Sequence, residues 1–386
     1  MVIEFLKGMK EDFDDLVEFI NYVFSYDGEE TDFKSLLPKL YKKEYKTIEN
    51  HYIVKEDTKI KAVVGTFPMD LKVLDNLSLK VSGIGSVSVH PDSRGYGYMK
   101  NLMNMALEDM KKEGIHISCL GGNRQRYEYF GYTPCGQNIS YEINSDNVKH
   151  SLKKCINKNM LFKDVKDNNL DFVDKIYETY SKDKFRFNRN KSGFLDILKS
   201  WNFDVYSVYD DEIFIGYIVS NKDKSYISEL KVNNDEDFIS VLANFIEANN
   251  LNETNLELPV WEKKKIKELN AVAEKITINN CYQFNVLNYE EVIKQLLSFK
   301  ATYSNLVNGN ISFDIMEYGK FKITVENNKV IIDSFNGNCD IQLSHLKAMQ
   351  LLFSPFGSYL IENEKLCGII NSWFPMPLFI GTQDKV

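Results

Sequence analysis

Residues 87–107, "VSVHPDSRGYGYMKNLMNMAL", put a cation and two glycines where a β-branched run gives way to a helical pattern. Val87 and Val89 alternate with polar residues as a strand does, and Pro91 ends the ladder. Arg94, Gly95 and Gly97 follow, and the apolar spacing after Tyr98 is helical. A helix start carries backbone N–H groups with no intrahelical partner, and its dipole adds partial positive charge. Glycines let the backbone approach an anion closely, and an arginine adds a fork of charged donors. The stretch therefore reads either as a plain glycine turn or as a pyrophosphate-sized anion cradle over Arg94, Gly95, Tyr96 and Gly97. Two phosphate loops are excluded. A dinucleotide fingerprint requires a glycine where Lys100 stands, and no Gly-Lys-Ser/Thr run occurs.

Other reactive side chains are dispersed. The five histidines (51, 90, 116, 150, 345) and six cysteines (119, 135, 155, 281, 339, 367) show no HExxH, HxxxH or CxxC spacing, so no metal site is expected. The cysteines read as small buried apolar residues with neither a disulfide framework nor a nucleophile's partners. His90 and His116 read as structural, and Met99, Met103, Met105 and Met110 as helix packing. Arg124 and Arg126 either pair with phosphates or are solvated. The acids of "DGEETDF" (27–33) attract a polycation if they line a cleft, and otherwise form a solvated loop.

The first ~140 residues alternate strand and helix in the order β-α-β-β-β-α-β-α-β, a mixed α/β layer. "VIEFL" is a strand and "KEDFDDLVEFINYVFSYD" a helix. "HYIVKEDTKIKAVVGTFPMDLKVL" is two strands, and "TPCGQNISYEI" ends the unit. The segment 201–222 then repeats the strand–turn–strand pattern of 51–74, and "SYISELKVNNDEDFISVLANFIEANN" repeats strand then helix. This second copy has Asp235, Glu236 and Asp237 at its turn in place of an arginine and a glycine pair. From about 290 the pattern changes to strands, one turning at "ENNK", and then a helix. The apolar tail at 373–380 is expected to dock.

A chain of 386 residues is long enough for two or three cores. Its net charge of −8 excludes a general nucleic-acid-binding surface. No apolar run approaches the ~20 residues of a membrane span. The N-terminal "MVIEFLKGMKEDFDDL" lacks the pattern of a signal peptide, so a cytoplasmic location is expected.

Val87, Val89, Pro91, Arg94, Gly95 and Gly97 together resemble the V-x-V-x-P, R-G-x-G signature of the GCN5-related N-acetyltransferases (GNAT). "YEYFGY" (127–132) resembles that family's second block. Met99 departs from the pattern, standing where many members have Gly or Ala. The layout of the whole chain resembles the enhanced-intracellular-survival (Eis)-like subfamily. That resemblance implies an α/β (α+β) architecture of tandem GNAT folds with mixed central sheets. The implied domains are a catalytic GNAT domain at 1–145, a degenerate one at 146–288, and a sterol-carrier-protein-like α+β domain at 289–386.

The resemblance further implies acetyl-CoA as co-substrate, held by Val87, Ser88, Val89, Arg94, Gly95, Tyr96, Gly97, Tyr98 and Asn123, with no metal. The acceptor would be a primary amine, on a small molecule such as an aminoglycoside-type polyamine or on a lysine-bearing peptide, and the assembly a homo-hexamer. Backbone N–H groups of 87–89 would hold the thioester carbonyl. The terminal carboxylate, here on Val386, would be the base, and Tyr132 the acid, with Tyr127 its rival. Direct attack in a ternary complex is implied. Two other readings are a lipid- or ligand-carrying protein using the C-terminal domain, and a tRNA-dependent aminoacyl transferase, which the acidic chain disfavours.

Overall fold

A computed structural model describes residues 2–26, 28–166 and 170–386. The chain forms two compact units. The first comprises Met1–Gly136, Asn280–Leu378 and Lys385–Val386, and the second Gln137–Asn279 and Phe379–Asp384.

In the first unit, strands β1 (Ile3–Lys7), β2 (His51–Glu56), β3 (Lys59–Leu74), β4 (Leu77–Val89), β5 (Ile117–Leu120) and β6 (Thr133–Cys135) appear where the alternation predicts them. Helices α1 (Phe13–Ser25) and α2 (Tyr98–Lys112) also follow their apolar spacing. The strand order is β1-β2-β3-β4-β5, then Tyr282–Val286, then β6. The β1 to β4 ladders are antiparallel, and β4 and β5 are parallel from Val81↔Ile117 to Ile84↔Leu120. Leu102, Met103, Ala106 and Met110 of α2 bury their apolar stripe against Val54, Ala62, Val64 and Ile84 of the sheet. Met99 packs at the edge of the same cluster, as expected of a helix-packing residue.

The rest of this unit carries a four-stranded sheet in the order Lys329–Ser334, Gly319–Glu326, Gly309–Ile315, Ile341–Leu343. At its "ENNK" turn Asn327 and Asn328 both take positive φ, as a tight hairpin requires. Helices Tyr289–Tyr303, His345–Phe353 and Glu364–Trp373 accompany it. The apolar tail docks as expected. Trp373, Phe374, Met376, Leu378 and Ile380 are buried. The Trp373 indole N–H donates to the Val307 carbonyl, and Lys300 Nζ donates to the carbonyls of Trp373 and Pro375.

The second unit repeats the layout. An antiparallel hairpin (Asp204–Asp210, Ile213–Ser220) is followed by strand Tyr226–Val232 and helix Phe238–Ala248. Its seven strands run 275–279, 138–144, 253–258, 226–232, 213–220, 204–210, 160–164. Two strands therefore lie outside the sequence-based boundaries. Asn138–Asn144, read from sequence as closing the first unit, pairs with Glu253–Leu258 and Lys275–Asn279. Tyr282–Val286, read as part of the middle domain, pairs with β5 and β6. Side-chain alternation names a strand and not its neighbours, so neither choice is visible in the chain.

A buried ion cluster sits in the second unit. Arg189 grips Asp384 through both carboxylate oxygens at 2.9 Å and bonds Glu229 at 2.5 Å; Tyr217 donates to the other Glu229 oxygen at 2.8 Å. These residues, Tyr217 excepted, line an open cleft. No helix among the described residues is long and apolar enough to cross a membrane.

Candidate active site

Strand β4 is bulged at its C-terminal end. The β3 register runs Val63↔Ser88 and then Gly65↔Gly85, and Ser86 between them has φ +54°. A β-bulge of this kind bends the strand and re-aims its backbone. The parallel ladder to β5 stops at Ile84↔Leu120, just before the bulge. Residues 87–89 therefore lie beyond the point where β4 and β5 pair. Ser88 is buried and its hydroxyl donates to the Ser86 carbonyl, leaving its backbone as the group that can serve a ligand.

A side-chain chain braces the bulge. His51 Nδ1 lies 2.9 Å from the Thr47 carbonyl, which can only accept, so Nδ1 carries the proton. Nε2 then accepts from the Tyr41 hydroxyl at 3.1 Å, and Tyr41 accepts from Ser86. Burial lowers the His51 pKa to about 4, so the ring stays neutral.

After β4, Pro91–Ser93 makes a 3₁₀ turn on which the His90 ring accepts the Asp92 N–H at 3.2 Å. Gly95 and Gly97 take φ +92° and +78°, and Gly97 caps α2. A Cβ at either position would meet nothing within 4 Å. Backbone handedness, not crowding, selects glycine there, and open space lies over both. The first turn of α2 holds no acid. Arg94 sits 5.9 Å over the Tyr26 ring, and Tyr96 is 68% exposed.

Tyr98 is placed differently from the other members of this turn. Its ring is in the core and its hydroxyl donates to Glu56 at 2.7 Å, which pushes its pKa up to about 12. Only its backbone N–H, at the start of α2, remains for an anion. Asn123 caps helix Arg124–Glu128, accepting the Gln125 N–H at 3.0 Å, and Arg124 pairs with Glu128. His116 accepts the Lys80 N–H at 3.1 Å, a structural role, as His90 has. Within the acidic loop Asp27 lies outside the described residues. Asp32 caps helix Phe33–Leu36, while Glu29 and Glu30 are exposed.

Tyr132 is fully buried, with its hydroxyl 2.6 Å from Ser118 Oγ; Ser118 donates to the Ser82 carbonyl at 3.0 Å. Ser118 has one proton, so the Tyr132 proton points at Ser118. Burial raises the pKa of both Tyr132 and Tyr127, Tyr132 far beyond the ordinary phenol range. The two rings make an edge contact at 6.5 Å. His345 braces the "FGY" turn, lying 2.9 Å from the Gly131 carbonyl.

Val386 lies against β4. A Cβ on Gly83 would collide with Val386 Cγ2, and one on Gly85 would come within 3.1 Å of the Val386 carbonyl carbon. These two glycines make the room that residue 386 occupies. The Tyr282 hydroxyl donates to the Val386 oxygen at 3.2 Å, and Lys39 Nζ donates to the Lys385 carbonyl at 2.6 Å. Gly83, Gly85, Ser86, Tyr41, His51, Lys39 and Tyr282 were not found by sequence reasoning. The G-x-G of "SGIGSV" was the one local signal that could have pointed to a close approach on β4.

The six cysteines are free thiols; Cys119, Cys135 and Cys281 are buried as expected, whereas Cys155 and Cys339 are half-buried and Cys367 is exposed. The expectation of uniform burial fails at Cys367 because it lies on the outward side of helix Glu364–Trp373. Among the described residues no group of three or more His, Cys, Asp or Glu is placed to hold a metal ion.

Residues 5–135 match the family model of the acetyltransferase (GNAT) domain, so the chain carries a GNAT acetyltransferase domain and is an N-acetyltransferase. Solved structures resemble it over nearly its full length. A GCN5-related N-acetyltransferase from Anabaena variabilis is 17% identical with TM-score 0.67, covering 97% of both chains. A probable N-acyltransferase from Enterococcus faecalis is 15% identical with TM-score 0.68, covering 98% of both. Eis1 from Mycobacterium abscessus is 12% identical with TM-score 0.64, covering 98% of this chain and 99% of that one. At these identities the likeness is one of fold. No curated protein matches the sequence.

Proposed function

We propose that this chain transfers the acetyl group of acetyl-CoA to a primary amine by direct attack in a ternary complex. The observation that carries the reading is the junction of β4 and α2. There a bulge at Ser86 and left-handed glycines at 95 and 97 leave open space over an acid-free helix start. The cradle fits a diphosphate: the α2 N–H groups, the Gly95 to Gly97 backbone and Arg94 would hold it. Bound there, acetyl-CoA supplies an activated thioester. The backbone N–H groups of 87–89 would face its carbonyl oxygen, where negative charge develops.

The acceptor must lose a proton to attack. We assign that role to the Val386 carboxylate, which lies against Gly85 beside the bulge. A tyrosine would return a proton to the thiolate. Tyr132 is the assigned acid and Tyr127 its rival. A thiol pKa near 8.5 against a free phenol near 10 makes that step uphill by about 2 kcal/mol before burial adds to it. We assign residues up to Gly136, with the returning strand Tyr282–Val286, as the catalytic domain, Gln137–Asn279 as a degenerate copy and the part from about 289 as a sterol-carrier-like domain, in a homo-oligomer. An aminoglycoside-type polyamine or a lysine-bearing peptide is the acceptor class.

The test is release of free coenzyme A thiol across a panel of aminoglycosides, polyamines and lysine peptides. At least one amine should give turnover with formation of its N-acetyl product. Binding of acetyl-CoA with no turnover on any amine would count against the reading. Tyr132→Phe should lower kcat at least tenfold and leave acetyl-CoA affinity unchanged; an unchanged kcat passes the acid role to Tyr127.

A further inference from the structure

Tyr282 belongs to no motif, yet its hydroxyl reaches the group assigned as the base. It lies on the strand Tyr282–Val286, locked between two neighbours: Gln283 pairs with Leu120 of β5, and Tyr282 with Cys135 of β6. Gln283 adds a side-chain bond to the Gly122 carbonyl at 2.6 Å. The ring therefore projects from a fixed platform. Its oxygen takes a backbone hydrogen bond from Gly121, and its proton points at the Val386 oxygen, 3.2 Å away. A Cβ on Gly121 would crowd that hydroxyl at 3.0 Å. Burial raises its pKa well above the ordinary phenol range, so the hydroxyl remains a donor at every working pH.

A second donor holds the preceding peptide. Lys39 Nζ lies 2.6 Å from the Lys385 carbonyl, and Lys385 Nζ is 5.3 Å from the centre of the Tyr282 ring. On the β4 side Val386 meets two glycines, with Ser86 tied through Tyr41 to a neutral His51. Residue 386 thus receives one hydrogen bond directly, from Tyr282, while Lys39 holds the peptide before it.

We infer that Tyr282 and Lys39 form a clasp that orients residue 386, making Tyr282 a positioning residue for the catalytic base. The inference rests on the proposed role of the Val386 carboxylate. A carboxylate on the last residue of a chain is the most mobile of bases, because chain ends fray unless tied. A hydrogen bond from an uncharged hydroxyl restricts its direction without neutralising it.

The experiment compares Tyr282→Phe, Lys39→Met and a variant lacking Val386, all in the full protein. Three quantities are read: turnover of an amine identified as acceptor, acetyl-CoA affinity by calorimetry, and the rate at which carboxypeptidase releases Val386, followed by mass spectrometry. Tyr282→Phe keeps the ring, so the fold and the acetyl-CoA affinity should hold. Its kcat should drop roughly tenfold with KM for acetyl-CoA unchanged, and Val386 should be released roughly tenfold faster, as expected for loss of one hydrogen bond to a charged group. Lys39→Met should move both quantities in the same direction. If removal of Val386 abolishes turnover but Tyr282→Phe stays within twofold of wild type, the clasp is wrong and the base assignment stands. If removal of Val386 leaves turnover intact, the base assignment falls and the clasp's catalytic role falls with it.

Discussion

The chain builds the same strand-to-helix junction twice, once in each unit. In the first, β4 passes through a left-handed Gly97 into α2, whose opening turn has no acid. In the second, strand Tyr226–Val232 passes through an extended Asn234 and a 3₁₀ turn of Asp235, Glu236 and Asp237 into helix Phe238–Ala248. The helix dipole is answered internally in the second junction and left unanswered in the first. Folding alone is satisfied by either solution. Leaving a helix start without its own carboxylates suits a site that takes an anion from outside, whereas the acids of the second junction do not.

Four changes would break or sharpen this contrast. Gly97→Val forces a β-branched residue to φ +78° and places a side chain in the open space over the turn. Acetyl-CoA affinity should fall at least ~100-fold, since the backbone strain alone costs about 1–2 kcal/mol before any loss of contacts. Wild-type affinity by calorimetry would show that this junction is not the cradle. Arg189→Met should cost the second unit about 3–5 kcal/mol, because it strands two buried carboxylates. Hydrogen exchange at amides of 204–232 should report it, and unchanged protection there would sink the claim.

Acid should act on the first unit. His51 and His345 both belong to it, and burial lowers each to about 4. Free imidazole titrates near 6.5, so the unfolded chain takes up protons first as the pH falls. Stability is therefore fully present above about pH 7 and is lost between roughly 6.5 and 4, by up to about 3 kcal/mol for the fully buried His51. Denaturant midpoints across that range should fall with pH in the wild type and flatten in His51→Gln. The smallest effect is expected from Asp235→Asn with Asp237→Asn, which removes about 0.3–1 kcal/mol of helix–charge interaction per residue. Calorimetry should still count one acetyl-CoA per chain. A second equivalent would mean that charge alone had closed the second junction.

Much of the first junction was legible because it is local. Val87, Val89, Pro91, Arg94, Gly95 and Gly97 lie within one strand, turn and helix start, where spacing and residue type carry geometry directly. The doubled hairpin-then-helix pattern was legible for the same reason. Tyr98 shows the limit: periodicity put it at the helix start, but the Glu56 partner that draws its side chain inward lies far away in sequence. The bulge at Ser86 was hidden because a serine at positive φ breaks the usual residue preference and is held by Tyr41 and His51. Tyr282 was hidden because a strand's partners are chosen by tertiary packing, and its short apolar run reads equally well as an edge of the middle domain.

That exchanged strand also constrains synthesis. The Gln283 side chain bonds the Gly122 carbonyl across 161 residues of chain. At ~5–20 residues per second a ribosome needs roughly ten to thirty seconds to make the intervening polypeptide. Through that interval the free edge of β5 waits without its partner, an open invitation to wrong pairing or to a chaperone. The segment 5–135, although it carries the whole recognisable signature, is thus missing the strand that lies between β5 and β6 in its own sheet. Expressed by itself, it should come off the ribosome as an incomplete sheet, and the second unit's sequence is what must be translated before the first can close.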